Sequence, residues 1–439
     1  MKKEVKKVSV YECFFGKEKL MGTLCCEYIR GDEIFSFKYN DEWLASNSIN
    51  MLDPDLLFYS GFQYTSYNKK QFGIFLDSEP DRWGKKLMQR RENILSKIEN
   101  RPPKILSEMD YLLGVEDFSR MGAIRFSLDD GKTFENNEKS FKTPPITKIR
   151  DLEAASIEYE KDNYVDKWIK MLIAPGSSLG GARPKANVID TDGSLWIAKF
   201  PSKSDTSDIG AWEYVMHELA LLCSINVPDA RCIRLSKNGT TYLSKRFDRE
   251  KDKRIHFASA MTLLGKKDGE SSECSYLDLI DFIKKYGSNV KEDLLELFKR
   301  VAFFIAVKNT DDHLRNHGFL LSKNGWRLSP LYDVNPNSDG RTLSLSIDGI
   351  DNSLSIELLL KTAEYYELTN EQAECIVKEI TNIVKNNWEK LAKKYEIVRS
   401  FVLNMNPASD REEWYKLLFR YVGDVFGYEL RKKCKNLLT

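Results

Sequence analysis

The sequence predicts an α+β fold of two lobes, a small mixed lobe followed by a larger helical one, behind an added N-terminal α+β subdomain. Three observations predict it. Short apolar runs of strand length at 186–189, 195–200, 231–235 and 241–247 crowd into the middle of the chain. From about residue 256 helical spacing of apolar residues dominates, interrupted only by one hairpin. A polar stretch at 129–147, carrying Pro144-Pro145, suits an exposed connection. The domains therefore read 1–135, 148–255 and 256–439.

The N-terminal subdomain shows short strands at 8–15, 22–28 and 33–39 and a helix opening after Ser78-Glu79-Pro80-Asp81-Arg82-Trp83-Gly84. In the small lobe an amphipathic helix at 164–173 precedes Ser177-Ser178-Leu179-Gly180-Gly181-Ala182-Arg183-Pro184-Lys185-Ala186. The small residues of that loop let backbone come close to phosphates. A turn at Asp192-Gly193 leads into 195–200, where Lys199 closes a β-run as the phosphate-reaching lysine of a kinase strand does. A carboxylate on the next helix orients such a lysine, and Glu213 is the candidate, with Glu218 as the fallback.

In the larger lobe the apolar stretch 294–307 reads as a buried helix that sets the start of Asn309-Thr310-Asp311-Asp312-His313-Leu314-Arg315-Asn316. Two short apolar runs, 318–321 and 326–328, flank the turn Lys323-Asn324-Gly325 and form a hairpin. That hairpin brings Asn316 and Asp333, of Leu331-Tyr332-Asp333-Val334, to the same space, as two ligands of one Mg²⁺ require. Phosphoryl-transfer enzymes use an Asp base, an Asn five positions on and a metal-binding Asp beyond a hairpin; Asp311, Asn316 and Asp333 have that spacing. Any one of them alone reads equally well as a turn or cap residue. The order Gly loop, Lys, Glu, Asp, Asn, Asp is what carries the reading. Asp311, His313 and Asn316 are the catalytic candidates. Ser178, Gly180, Gly181, Lys185, Lys199, Glu213 and Asp333 are the nucleotide-binding candidates, with Asn316 and Asp333 on the metal. Beyond 350, aromatics such as Trp388 and Trp414 read as core packing.

Composition narrows the alternatives. Of 439 residues, 42% are hydrophobic and 30% charged, as in an ordinary globular protein. No run approaches the 18 apolar residues of a membrane span and no apolar signal region follows the start, so no membrane role and a cytoplasmic location are expected. A net charge of +1 offers nucleic acid no global attraction. Eight cysteines without C-x-x-C spacing read as reduced, and four histidines nearly exclude a multi-histidine metal site.

The strings SSLGGARPKA, WIAKFP, YLSKRFDR, RIHFASAMTLLG, NTDDHLRNHGFLL and LSPLYDV, with FGIFLDSEPDRWGKKL and SRMGAIRF nearer the N-terminus, resemble the HipA-like serine/threonine kinases, toxin halves of bacterial toxin–antitoxin pairs. The resemblance covers nearly the whole chain. It implies a kinase-like two-lobed core using ATP and Mg²⁺, with Asp311 as catalytic base, Asn316 and Asp333 as Mg²⁺ ligands and Lys199 on the ATP phosphates. It implies autophosphorylation at Ser178, with the neighbouring Ser177 left open. It also implies phosphorylation of a protein serine, in characterised cases on an aminoacyl-tRNA synthetase, and restraint by a small helix-turn-helix antitoxin, through which alone DNA would be met. Lys245 stands where the family frequently has an acidic residue. The Asp-x-His-x-x-Asn pattern also fits lipid and small-molecule kinases, in which His313 either bonds a transferring phosphoryl oxygen or braces the loop. Two other readings are a degenerate kinase fold acting as co-repressor with its antitoxin, and a metal hydrolase built on Asp311, His313 and His317.

Overall fold

A computed structural model describes residues 5–66, 69–135, 143–161, 183–251 and 253–397. The N-terminal part builds β1 (Val5–Glu12), β2 (Lys19–Ile29) and β3 (Asp32–Tyr39), then α1 (Asp41–Ser46), β4 (Phe62–Tyr64), α2 (Gly73–Leu76), α3 (Arg82–Ile98), α4 (Glu108–Gly114) and β5 (Ile124–Ser127). Their sheet has the order β4-β3-β2-β1-β5, and every pairing is antiparallel. The alternation of a half-buried strand turns Val8 and Val10 of β1 inward together with Phe35 and Phe37 of β3. Helix α3 starts where its sequence allows. The Asp81 side chain caps it by accepting the Gly84 N–H at 2.7 Å.

The small lobe comprises α5 (Ile149–Glu160), β6 (Lys185–Ile189), β7 (Leu195–Lys199), α6 (Ile209–Leu222), β8 (Ala230–Ser236) and β9 (Gly239–Lys245). Its sheet runs β6-β7-β9-β8. A short hairpin of β10 (Arg249–Glu250) and β11 (Lys253–Arg254) leads to β12 (Phe257–Ser259) and α7 (Ala260–Leu263). The helical lobe then follows as α8 (Tyr276–Tyr286), α9 (Val290–Val307), the hairpin β13 (Gly318–Ser322) and β14 (Gly325–Leu328), α10 (Ile356–Lys361) and α11 (Asn370–Lys394). At the hairpin turn Gly325 has φ +130°, and a Cβ there would lie 2.5 Å from the Tyr286 carbonyl oxygen, so glycine is required.

Two features past residue 256 differ from the sequence expectation of helices interrupted only by a hairpin. Phe257–Ser259 pairs with β13, Ala258 opposite Phe319, and makes the hairpin a three-stranded sheet. A run this short carries no period of its own; pairing with β13 is what makes it a strand. Residues 329–355 also form no helix. They are rich in Asn, Asp, Ser, Gly and Pro, whose side chains bond locally to the backbone and favour turns, as Asp348 does in accepting the N–H of Ile350 and Asp351.

Two apolar clusters hold these parts together. The larger runs from Val8, Phe37 and Phe126 of the N-terminal sheet through Trp212 and Leu219 of α6 to Leu279, Val301 and Phe304 of the helical lobe. The smaller joins Trp83 and Leu87 of α3 to Leu152, Val188, Trp196 and Leu243 of the small lobe.

A buried ionic junction fastens the segment before β5 to the end of β9. Asp248 accepts from Arg246 at 2.8 and 2.6 Å, from Arg249 at 2.5 Å and from the Gly122 N–H at 2.8 Å. Gly122 has φ +73°, and a Cβ there would press on His256 and the Phe257 N–H at 3.2 Å. Burial pushes the Asp248 carboxyl up, but the two guanidiniums outweigh it and hold the group at about 2. An unfolded Asp titrates near ~3.9. The stabilisation from this group is therefore fully present above about pH 4 and lost as pH falls toward 2. Asp248→Ala should destabilise the chain by ~3–5 kcal/mol, because it leaves two arginines buried without their counter-charge. Urea denaturation at neutral pH measures this, and a loss below 1 kcal/mol would remove the junction from the determinants of stability.

Candidate active site

The site grows from the end of α9. Lys308 closes that helix in the left-handed conformation, φ 54°, and the Asn309 N–H returns to the Phe304 carbonyl at 2.9 Å. The Asn309 side chain then accepts the Asn335 N–H at 3.2 Å, while Asn337 donates to the Thr310 hydroxyl at 2.9 Å. These bonds lay the segments around 310 and 335 side by side. Between them β13 and β14 reverse the chain, and the Tyr332 hydroxyl donates to the Arg315 carbonyl at 2.7 Å.

A single 3₁₀ turn, Leu314–Asn316, places the Asn316 amide. Its NH₂ donates to the Asp311 carbonyl at 2.7 Å, which leaves its oxygen as the atom free to act as an acceptor or ligand. Asp333 sits at φ 58°, a left-handed conformation that Asp tolerates better than most residues.

Opposite them Lys199 ends β7, and its ammonium lies 2.5 Å from Glu213 Oε1 on α6 and 2.6 Å from Asp333 Oδ1. Burial alone would lower the lysine's pKa, but Asp333 and Glu213 raise it above the ordinary range. Burial likewise acts to raise Asp333, yet Lys199, then Lys185, hold it down at about 2. Glu213 is pushed up by burial, with Lys199 opposing. Asp311 is exposed, and partial burial of its carboxyl, opposed by His313, leaves it above the ordinary carboxylate range.

Lys199, Glu213, Asn316 and Asp333 line one cleft. Ile197, Phe247, Phe257 and Tyr332 supply apolar walls. The strand end 244–248 forms one side of the cleft, and Lys245 turns its ammonium to Asp229 at 3.1 Å. The remaining candidates fall elsewhere. Lys185 is buried with its ammonium 2.9 Å from Asp81, the cap of α3, and its charge also acts on Asp333. Glu218 faces Lys394 at 3.5 Å, which leaves Glu213 as the partner of Lys199. His313 precedes the 3₁₀ turn, and its Nδ1 is buried without a hydrogen bond. His317 is buried against the rings of Tyr276 and Phe304, with its Nε2 3.8 Å from Asp312 Oδ2. Ser177, Ser178, Gly180, Gly181, the helix at 164–173 and Trp414 lie outside the described residues.

The donor set fits Mg²⁺. An ionised carboxylate and an amide oxygen are hard ligands, and Mg²⁺ usually takes only one or two protein groups beside waters and phosphates. Among the described residues no group of three or more His, Cys, Asp or Glu could hold a metal, and no helix is long and apolar enough to cross a membrane. Sequence reasoning missed the N-terminal contribution. Leu76, Asp77 and Met121 line the same cleft, and Asp77 accepts the Ser259 N–H and hydroxyl at 2.7 and 2.8 Å. Nothing local in the strings around them ties them to a site that lies well beyond them in the chain.

Comparison with known proteins finds kinases and a toxin–antitoxin protein among those similar to this chain. A kinase described only as putative in Haemophilus influenzae is 26% identical over 179 residues, 36% of this chain and 52% of that protein. Putative kinase Y4mE of Sinorhizobium fredii is 26% identical over 182 residues, 36% of this chain and 41% of that protein. The chain thus spans about half the length, or less, of these curated relatives. Among solved structures, HipA of Shewanella oneidensis MR-1, from a toxin–antitoxin complex with HipB and operator DNA, shares the fold with a TM-score of 0.62 at 16% identity, over 88% of this chain and 90% of that one. Residues 177–388 match the family described as HipA-like C-terminal domain, and that segment holds Lys199, Glu213, Asp311, Asn316 and Asp333.

Proposed function

We propose that the chain is a HipA-type kinase that transfers the γ-phosphoryl group of ATP, with Mg²⁺, to a serine or threonine of a protein. The observation that carries this reading is the Lys199 ammonium held between Glu213 and Asp333 in the cleft that Asn316 also lines. In this reading residues 1–135 are the N-terminal subdomain, 148–255 the nucleotide lobe and 256–439 the helical lobe.

Phosphoryl transfer needs placement and charge neutralisation more than covalent help from the protein. Asn316 and Asp333 hold the metal, which when bound neutralises charge on the phosphate oxygens. Lys199 draws charge from the α- and β-phosphates, and Glu213 keeps that ammonium in place. The apolar side chains of Ile197, Phe247 and Phe257 receive the base. Asp311 aligns the acceptor hydroxyl and takes its proton as the oxygen bonds to phosphorus and ADP departs. A carboxylate above its ordinary range is better suited to that duty than one of ordinary pKa.

Family resemblance extends the proposal to autophosphorylation at Ser178 or Ser177, where about two negative charges would sit in the phosphate-receiving loop and block ATP. It also suggests an aminoacyl-tRNA synthetase as substrate. The Shewanella complex favours a small helix-turn-helix antitoxin as partner, with DNA met through it.

Incubation with radiolabelled ATP and Mg²⁺ tests the central reading. Asp311→Asn should lower the transfer rate by about 10²–10⁴-fold while Mg-ATP affinity stays nearly intact; an undiminished rate would refute the role of Asp311. Lys199→Met should weaken Mg-ATP binding by about 10- to 100-fold, the worth of a charge-assisted hydrogen bond. Asp333→Ala should leave no measurable heat when Mg-ATP is titrated in a calorimeter, and normal affinity would argue against its metal-binding assignment.

A further inference from the structure

The Asp311 carboxylate has no hydrogen bond or ion pair with any described residue, so its aim is set by its own backbone. That backbone is gripped at three consecutive residues. The Ser344 hydroxyl donates to the Thr310 carbonyl at 2.9 Å, and Asn316 donates to the Asp311 carbonyl at 2.7 Å. The third grip is Asp312, whose side chain turns into the core and is wholly inaccessible to solvent.

Burying a carboxylate costs several kcal/mol unless its oxygens are bonded. Asp312 is bonded on both. The Tyr276 hydroxyl, from the first residue of α8, donates to Oδ2, and the Ser344 N–H donates to Oδ1 at 3.2 Å. His317 Nε2 stands 3.8 Å from the same Oδ2. Burial first, and then the neighbouring Asp312 charge, hold the Tyr276 phenol protonated and therefore a donor. Tyr276 is itself fixed, because Ser275 and Asp278 form a capping box at the start of α8. Ser344 is fixed by the Leu343 N–H donating to the Asn352 carbonyl at 2.8 Å, within a segment bridged from Thr342 to Ser353. Two separate elements thus converge on one buried carboxylate adjacent to the exposed one.

We propose that Asp312 is a positioning residue for phosphoryl transfer: a core anchor through which Tyr276 and Ser344 hold the 310–312 backbone, so that the Asp311 carboxylate faces the acceptor hydroxyl. The inference rests on the kinase reading above. A displacement of about 1 Å at a reacting group can cost about 10²-fold in rate. Asp312 touches neither nucleotide nor acceptor, and its effect falls on turnover rather than on nucleotide binding.

The test measures transfer from γ-labelled Mg-ATP to the chain itself and to water, with Mg-ATP affinity by calorimetry and thermal stability on the same samples. Asp312→Asn should lower turnover by about 10- to 100-fold with the Mg-ATP dissociation constant changed about twofold or less. Tyr276→Phe, which removes one hydroxyl and is the milder variant should Asp312→Asn fail to fold, should lower turnover about 3- to 10-fold. Combining the two should cost little more than Asp312→Asn alone, because both act through one contact. Lowered melting temperatures with wild-type turnover per nucleotide-binding molecule would assign Asp312 to stability alone and overturn the proposal. If the wild type transfers phosphate and Asp311→Asn does not, while Asp312→Asn matches wild type, the inference fails and the kinase reading stands. If the wild type transfers nothing, both fall.

Discussion

The arrangement depends on one ammonium. Lys199 lies between two carboxylates from distant parts of the chain, Glu213 on the helix of its own lobe and Asp333 beyond the hairpin of the other. An isolated charge at such depth would cost more than the fold could supply, and a pair often only breaks even. Two carboxylates on one ammonium give the triad a formal net charge of −1, which the fields of Lys185 and Arg183 offset in part. In the proposed reading that charge is met by a divalent cation carried in with an anionic ligand. The amide oxygen of Asn316, oriented by its bond to the Asp311 carbonyl, adds a second hard ligand without adding charge.

The rest of the helical lobe can be understood as the means of bringing Asp333 to Lys199. Helix α9 is buried along most of its length, so its end is a fixed point, and the left-handed Lys308 turns the chain out of it abruptly. The β13–β14 hairpin then returns the chain to where it left, and the Asn309–Asn335 and Tyr332–Arg315 bonds close the gap. Each bond is ordinary in strength, about 1 kcal/mol net. Together they over-determine the position of Asp333, and such over-determination is what lets a non-glycine residue persist at φ 58°.

How legible all this is in the sequence depends on how local the cause of each feature is. The hairpin turn at Lys323-Asn324-Gly325, the buried helix before Asn309 and the strand ending at Lys199 are each encoded by a few neighbouring residues, and each is found where the sequence places it. Asp311, Asn316 and Asp333 are legible because a hairpin of definite length joins them. Lys185 is different. Its sequence neighbours suggest a loop cation near phosphate, but Asp81, some 100 positions earlier, captures it, and only the packing of α3 on the small lobe makes that pair. Asp311 and Asp312 are likewise indistinguishable in sequence, two adjacent aspartates of which one faces solvent and the other the core. The strand Phe257–Ser259 has no local signal at all, since its pairing partner lies 60 residues on.

The family segment, residues 177–388, therefore does not contain the whole cleft. Leu76, Asp77 and Met121 come from before it, and Asp77 is bonded to Ser259 at the cleft wall. The Asp81–Lys185 pair crosses the same boundary, as do the Trp83 indole N–H to the Lys185 carbonyl at 3.1 Å and the Asp248 junction to Gly122. The N-terminal sheet also shares its apolar cluster with the helical lobe. An appendage that merely tethered a partner would need none of these bonds. A segment that supplies a wall of the cleft, pairs with the buried Lys185 ammonium and is cross-linked by buried charge to the chain just beyond β9 is part of the unit that forms the cleft, and anything that grips its outer surface is mechanically connected to it.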